Sequence, residues 1–213
     1  MAASDRCGTG LLGGTFNPPH LGHLAAARHA RERLRLERVL LMPARTSPAK
    51  RGEPDPGPEA RLAMCRLIVA GEDGLGVCAR EVDGPGTSYT VDTLRGIRNE
   101  HPDADVTFIV GADVAITLPE WKAPREVLAL ASLAVVARSG ADEDAVRARL
   151  AELLGGEARM PDVRFLQMEP VEVSSSQARE AAARDEDLAP LVGAAVAGYV
   201  AEHRLYGRAG EPA

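Results

Sequence analysis

Short apolar runs separated by stretches of helical spacing limit the fold of this chain more than any other feature. The runs occupy residues 10–13, 39–42, 76–79, 106–110, 133–137 and 163–166, and most are continuous rather than alternating. Strands read this way when both faces are buried, as in a parallel sheet. Between them, residues 21–34, 59–70, 91–98 and 142–154 carry apolar positions at helical spacing. Strand then helix, repeated, predicts an α/β fold, a doubly wound parallel sheet. Two further helices are expected over 175–184 and 188–203, with no strand after them. Residues 44–58, rich in Pro, Gly and charge, read as a surface connection or a loop over a substrate, and 208–213 as a frayed tail.

With 213 residues and 45% hydrophobic content the chain can bury a sizeable core, and we read one domain over 1–213 with an ordered core of about 8–207. Its 31 acidic and 25 basic residues give a net charge of −6. Such a field does not draw in nucleic acid or an anionic membrane, so no nucleic-acid or membrane partner is expected and any anionic ligand needs a local cluster. Cys7, Cys65 and Cys78 have neither metal-ligand spacing nor a disulfide framework, which suits a reducing compartment. The first residues lack the apolar segment of a signal peptide, and the longest apolar stretch, 127–137, is too short for a bilayer. The expected location is cytoplasmic.

In an open parallel sheet, ligands bind beyond the carboxyl ends of the strands. The first such turn reads Gly13-Gly14-Thr15-Phe16-Asn17-Pro18-Pro19-His20-Leu21-Gly22-His23. Its glycines let backbone approach a ligand, and its prolines stiffen the approach. His20 and His23 stand three apart where a helix begins, so they share a face if that turn is helical. Two imidazoles at a helix N-terminus suit a polyphosphate. A metal pair or ordinary helix-start residues are the alternatives, although no Cys, Asp or Glu is adjacent to complete a zinc site, and no metal ligands are assigned.

A second helix start lies at Val173-Ser174-Ser175-Ser176-Gln177-Ala178-Arg179, where Ser174 and Gln177 fit a capping box. Arg179 near the first turn opposes the helix dipole unless an anion is bound, and a helical side chain leans back toward such an anion. A plain serine cap with a surface arginine is the alternative. Of the 25 basic residues only Lys50 and Lys122 are lysines: Lys50 lies in the irregular loop and Lys122 beside the single tryptophan, Trp121.

Together these segments resemble the nucleotidyltransferase superfamily with the HxGH signature, and within it the bacterial nicotinate-nucleotide adenylyltransferases. GGTFNPPHLGH is similar to that family's first motif, SYTVDTL at 88–94 to its substrate segment, and GADVAITLPEW at 111–121 to its GxD and LxxW segment. VSSSQAR at 173–179 is similar to its ISSTxxR motif and YVAEHRLYG at 199–207 to its C-terminal ending. The chain departs from the family in having Ala49 in a Pro-His-Lys position, Lys122 where an aromatic or His is usual, Ser176 for Thr and Ala178 for a larger apolar residue.

The resemblance implies adenylyl transfer from ATP, with accompanying Mg²⁺, to nicotinate mononucleotide in a Rossmann-like fold. His20, His23 and Arg179 are then the catalytic set. The ATP set is Gly13, Gly14, Thr15, Phe16, Lys50, Gly111, Asp113, Ser175 and Ser176, with Gly111 and Asp113 at the ribose and the two serines at the β- and γ-phosphates. Asn17, Thr90, Trp121 and Lys122 fall to the mononucleotide. The alternative acceptors are phosphopantetheine and nicotinamide mononucleotide, and the alternative class is a nucleotide-binding regulator without turnover. Phosphopantetheine enzymes are shorter, usually carry Thr where His20 stands, and lack the SYTVDTL and LPEW pairing.

Overall fold

The computed structural model describes residues 8–46, 54–137, 140–156 and 163–207. Its first half runs β1 (Thr9–Gly14), α1 (Leu21–Leu34), β2 (Arg38–Pro43), α2 (Pro58–Ile68), β3 (Leu75–Val77), α3 (Arg80–Asp83) and α4 (Thr90–Glu100). Then come β4 (Val106–Gly111), α5 (Ala112–Ala115), a 3₁₀ turn (Leu118–Glu120), α6 (Pro124–Leu130), β5 (Ser132–Ala137), α7 (Gly140–Leu154) and β6 (Val163–Gln167). The chain closes with α8 (Ser175–Ala183), α9 (Ala189–Val192) and α10 (Ala194–Glu202). All pairings are parallel, in the order β3-β2-β1-β4-β5-β6, so the doubly wound sheet is the observed architecture.

Each inner strand feeds two cores, because successive side chains leave opposite faces. Leu12, Leu41 and Ile109 pack with α1, α2 and α10 on one face. Leu11, Met42, Phe108 and Val110 pack with α4, α6 and α7 on the other. The continuous apolar runs follow from this double burial.

Three short helices, α3, α5 and α6, were not legible as periodic segments; four to seven residues give fewer than two turns to read. The expected single helix over 188–203 is two. Gly193, at φ 82° and ψ 153°, turns the chain between α9 and α10, a backbone setting that glycine alone adopts without cost. The tail from 208 onward lies outside the described residues.

The buried face of α2 carries an unexpected charge. Arg61 shares it with Met64, Cys65 and Ile68 and is fully buried. Its guanidinium donates to the carbonyls of Thr15 (2.8 Å), Ala44 (2.7 Å) and Arg45 (2.7 Å), and to Asp55 Oδ1 (2.9 Å). Hydrogen bonds to a charged group contribute about 1.5–3 kcal/mol each, enough together to offset the several kcal/mol that burying the cation costs. Arg61→Met keeps much of the volume and strands three carbonyls. It should lower stability by about 3–5 kcal/mol in urea denaturation. A loss below about 1 kcal/mol would mean that the carbonyls find other partners and that Arg61 does not hold these loops.

Candidate active site

A cavity of about 920 Å³ opens at the carboxyl ends of β1 and β4, where the sheet order reverses and open α/β sheets bind ligands. One wall is the turn from β1 into α1. Phe16 enters the left-handed region at φ 55°, which costs an ordinary residue about 1–2 kcal/mol. Burial holds it there: Phe16 is 2% exposed, and its ring stands edge-on to His23 at 4.8 Å. That ring lies over Gly14, 3.0 Å from where a Cβ would be, while the Phe108 ring lies 2.9 Å from the equivalent point of Gly13. These glycines therefore make room for phenyl rings as well as lining the cavity.

His20 is the extended N-cap of α1, and its carbonyl accepts the N–H groups of His23 (2.9 Å) and Leu24 (3.2 Å). The His20 backbone N–H in turn donates to His23 Nδ1 at 3.2 Å. With Nδ1 an acceptor, the neutral His23 ring carries its proton on Nε2. The two imidazole ring centres lie 3.7 Å apart with their planes tilted by 31°. A Cβ on Gly22 would come within 3.0 Å of His20 Nδ1 and 3.4 Å of the Val173 side chain. Glycine there admits both the His20 ring and the segment that leads into α8.

The start of α8 faces the same cavity through Ser174, Ser175 and Ser176. Ser174 Oγ accepts the Gln177 N–H at 3.2 Å, as its sequence position predicts. Ser175 Oγ donates to the Pro18 carbonyl at 2.9 Å, and Arg179 donates to the Asn17 carbonyl at 2.7 Å and to Ser176 Oγ at 3.3 Å. Arg179 is thus neither a plain surface arginine nor dependent on an anion for partners. It stands one layer behind the cavity lining and ties α8 to the β1–α1 turn.

The opposite wall comes from the ends of β4 and α4. Gly111 leaves space for the Asp113 carboxylate, whose Oδ1 lies 2.6 Å from where a Cβ would be. Trp121 packs edge-on to Phe108 at 6.0 Å and donates its indole N–H to Thr117 Oγ1 at 3.0 Å. Thr90, the first residue of α4, lines the cavity next to Ser88 and Tyr89. Lys122 pairs with Asp92 at 2.7 Å and lies 4.6 Å from the Tyr89 ring centre. Its ammonium also holds the Asp92 carboxyl below the usual carboxylate range.

Of the residues singled out in the sequence, Gly13, Gly14, Thr15, Phe16, His20, His23, Thr90, Gly111, Asp113, Trp121, Lys122, Ser175 and Ser176 line this one cavity. Asn17 does not. It is 3% exposed, its amide donates to the Pro54 carbonyl at 2.8 Å, and its Oδ1 accepts the Tyr206 hydroxyl at 2.7 Å. Both ends of that side chain are spent on the protein, so its place in the expected mononucleotide set is corrected to a loop-holding one. Lys50 lies outside the described residues.

Sequence reasoning missed Arg61 and Glu81. A charge in the apolar stripe of α2, four before Cys65 and seven before Ile68, was a readable signal for the first. Nothing in the local sequence marks Glu81, a buried carboxyl on the cavity wall.

Residues 11–181 match the model of the cytidylyltransferase-like family. A probable nicotinate-nucleotide adenylyltransferase of Symbiobacterium thermophilum is 41% identical over 92% of this chain and 93% of its own length. One from Laribacter hongkongensis is 39% identical over 97% of each chain. Among solved structures, Plasmodium falciparum nicotinic acid mononucleotide adenylyltransferase complexed with NaAD aligns with a TM-score of 0.73. That alignment covers 93% of this chain and 97% of the other at 13% identity, so the likeness is one of fold. The chain belongs to the cytidylyltransferase-like family of nucleotidyltransferases, and within it to the nicotinate-nucleotide adenylyltransferases.

Proposed function

We propose that the cavity brings MgATP and nicotinate mononucleotide together and transfers the adenylyl group between them, yielding nicotinate adenine dinucleotide and pyrophosphate. The observation that carries this reading is the meeting of two helix starts at one cavity. The paired His20 and His23 open α1, and Ser175 and Ser176 open α8. Helix N-termini with neutral donors favour a polyphosphate, and about 920 Å³ is ample room for a ligand of two nucleotides. The name shared by the relatives supports the pyridine substrate.

In this reading a phosphate oxygen of the mononucleotide attacks the α-phosphorus of ATP in line. The new O–P bond forms as the bond to the β-phosphate bridging oxygen breaks, and pyrophosphate leaves with its magnesium. A phosphomonoester dianion is already a nucleophile, so the protein's part is positioning and charge stabilisation. His23 Nε2–H and the His20 ring donate to the phosphates, and Ser175, through its backbone N–H, and Ser176 hold the β- and γ-phosphates. Gly111 and Asp113 take the ribose. Trp121 lies by the pyridine ring, with the carboxylate at Thr90. The magnesium belongs to the nucleotide; among the described residues no cluster of three His, Cys, Asp or Glu side chains is placed to hold a metal ion.

His23→Ala should lower kcat by about tenfold to a thousandfold, the range for losing a transition-state donor. Near-normal turnover by the folded variant in a pyrophosphate-release assay would remove His23 from this role. For Arg179→Ala the expected result is a raised KM for ATP together with a modest stability loss of about 1–2 kcal/mol, because the Asn17 carbonyl loses its charged donor. An unchanged KM at reduced stability would make the arginine purely structural.

Selection between acid and amide should follow from hydrogen-bond polarity. A carboxylate only accepts, whereas an amide also donates, so the Thr90 hydroxyl and backbone N–H groups favour the acid. The Lys122 ammonium is engaged by Asp92, a half-exposed pair of small energetic weight. kcat/KM should therefore be higher for nicotinate than for nicotinamide mononucleotide, and Lys122→Ala should change the ratio by less than about threefold. Equal use of the two substrates, established by product identification, would overturn the acid assignment while leaving adenylyl transfer standing.

A further inference from the structure

One wall of the cavity holds a carboxyl that the adenylyl-transfer chemistry does not use. Glu81, on α3, is 9% exposed and lines the cavity with Ser88, Tyr89 and Thr90. Its Oε1 accepts the Thr93 hydroxyl at 3.0 Å, and the Ser88 hydroxyl also bears on the carboxyl. Ser88 Oγ accepts the Arg45 backbone N–H at 2.9 Å. The carboxyl thus holds the Thr93 hydroxyl, in the first turn of α4 and three residues after Thr90.

The neighbouring charges are directed elsewhere. Arg45 donates to the Val82 carbonyl and lies 3.6 Å from Glu59. Arg80 pairs with Glu100, Arg95 with Glu126 and Asp92, and Lys122 with Asp92. Burial raises the affinity of Glu81 for a proton, and the two hydroxyls act against that rise. Among the described residues no cation pairs with this carboxyl, and an apolar residue would pack the same volume at lower cost. What the carboxyl supplies that an apolar residue cannot is an acceptor for the Thr93 hydroxyl.

We infer that Glu81 is a positioning residue for the pyridine end of the site: by holding Thr93 it fixes the first turn of α4, and with it the Thr90 hydroxyl that meets the substrate's carboxylate. This rests on the proposed transfer to nicotinate mononucleotide. Glu81 acts through Thr90, so its loss should weaken binding of the pyridine substrate and leave the nucleotide end intact. In Glu81→Gln the shape is kept but an N–H donor replaces one acceptor, and in Thr93→Val the held hydroxyl is gone.

The test is steady-state kinetics with each substrate varied in turn, on the full chain, with thermal melting of each variant alongside. In Glu81→Gln the KM for nicotinate mononucleotide should rise about tenfold, with kcat and the KM for ATP within about twofold of wild type. Thr93→Val should shift the same KM in the same direction. Glu81→Asp, which retains a carboxylate, should restore part of the affinity. Unchanged kinetics in Glu81→Gln, or equal rises in both KM values, would overturn the role. Should the Glu81 variants fail to fold, Thr93→Val decides: a selective rise in the mononucleotide KM supports the role, and no rise overturns it. Wild-type protein that fails to turn over nicotinate mononucleotide while using another phosphomonoester would instead defeat the parent reading of the substrate.

Discussion

The buried Arg61 guanidinium is the interaction on which the geometry of the cavity's nucleotide side depends. Its three carbonyl partners come from two different strand ends, Thr15 after β1 and Ala44 and Arg45 after β2. It therefore fixes how the two loops leave the sheet relative to each other. The next residues are held in the same manner, the Asn17 carbonyl by Arg179 and the Pro18 carbonyl by Ser175. Carbonyl oxygens at residues 15, 17 and 18 would repel a phosphate if they faced it. Each is instead tied to a donor of the protein. Such a turn can receive an anion without first rearranging its own dipoles, which is the sense in which preorganised sites stabilise developing charge.

That local arrangement answers the problem set by composition. A chain of net charge −6 provides no general attraction for a nucleotide, and Lys122 near the cavity is already balanced by Asp92. Among the described residues that line the phosphate side of the cavity, the available attraction is that of neutral donors and helix ends, which act over short range and only where they converge. The two ends of the cavity differ accordingly. At the phosphate end lie the paired imidazoles, the Ser176 hydroxyl and the first backbone N–H groups of α8. At the other end an acidic residue, Glu81, holds the Thr93 hydroxyl and lines the wall beside Thr90.

The strands were legible because buried parallel strands leave nothing polar to interrupt an apolar run, and the motif turn was legible because glycine, proline and histidine are chemically distinctive. Legibility ended where a residue's meaning depends on a distant partner. Asn17 reads as a polar group in a binding turn, yet Pro54 and Tyr206 occupy its side chain, and Tyr206 is 189 positions away. Arg179 was placed correctly at the start of α8, but its carbonyl partner lies 162 positions earlier. Local spacing carries no trace of such pairs. Gly13 and Gly14 show a different limit: glycine signals a close approach without saying of what, and here phenyl rings account for part of it.

The Tyr206 bond also explains why a sheet that ends at β6 needs the helices after it. Val192, Val196 and Val200 complete the core on the α1 face, and α10 packs against α2, the helix that carries Arg61. Burial raises the affinity of the Tyr206 hydroxyl for its proton, so it stays a donor to Asn17 at any physiological pH. The C-terminal segment therefore reaches the turn twice, directly through Asn17 and indirectly through α2 and Arg61. A sequence ending that looks like a mere cap on the fold is in physical terms part of the support for the β1–α1 turn, which places His20 and His23 at the cavity.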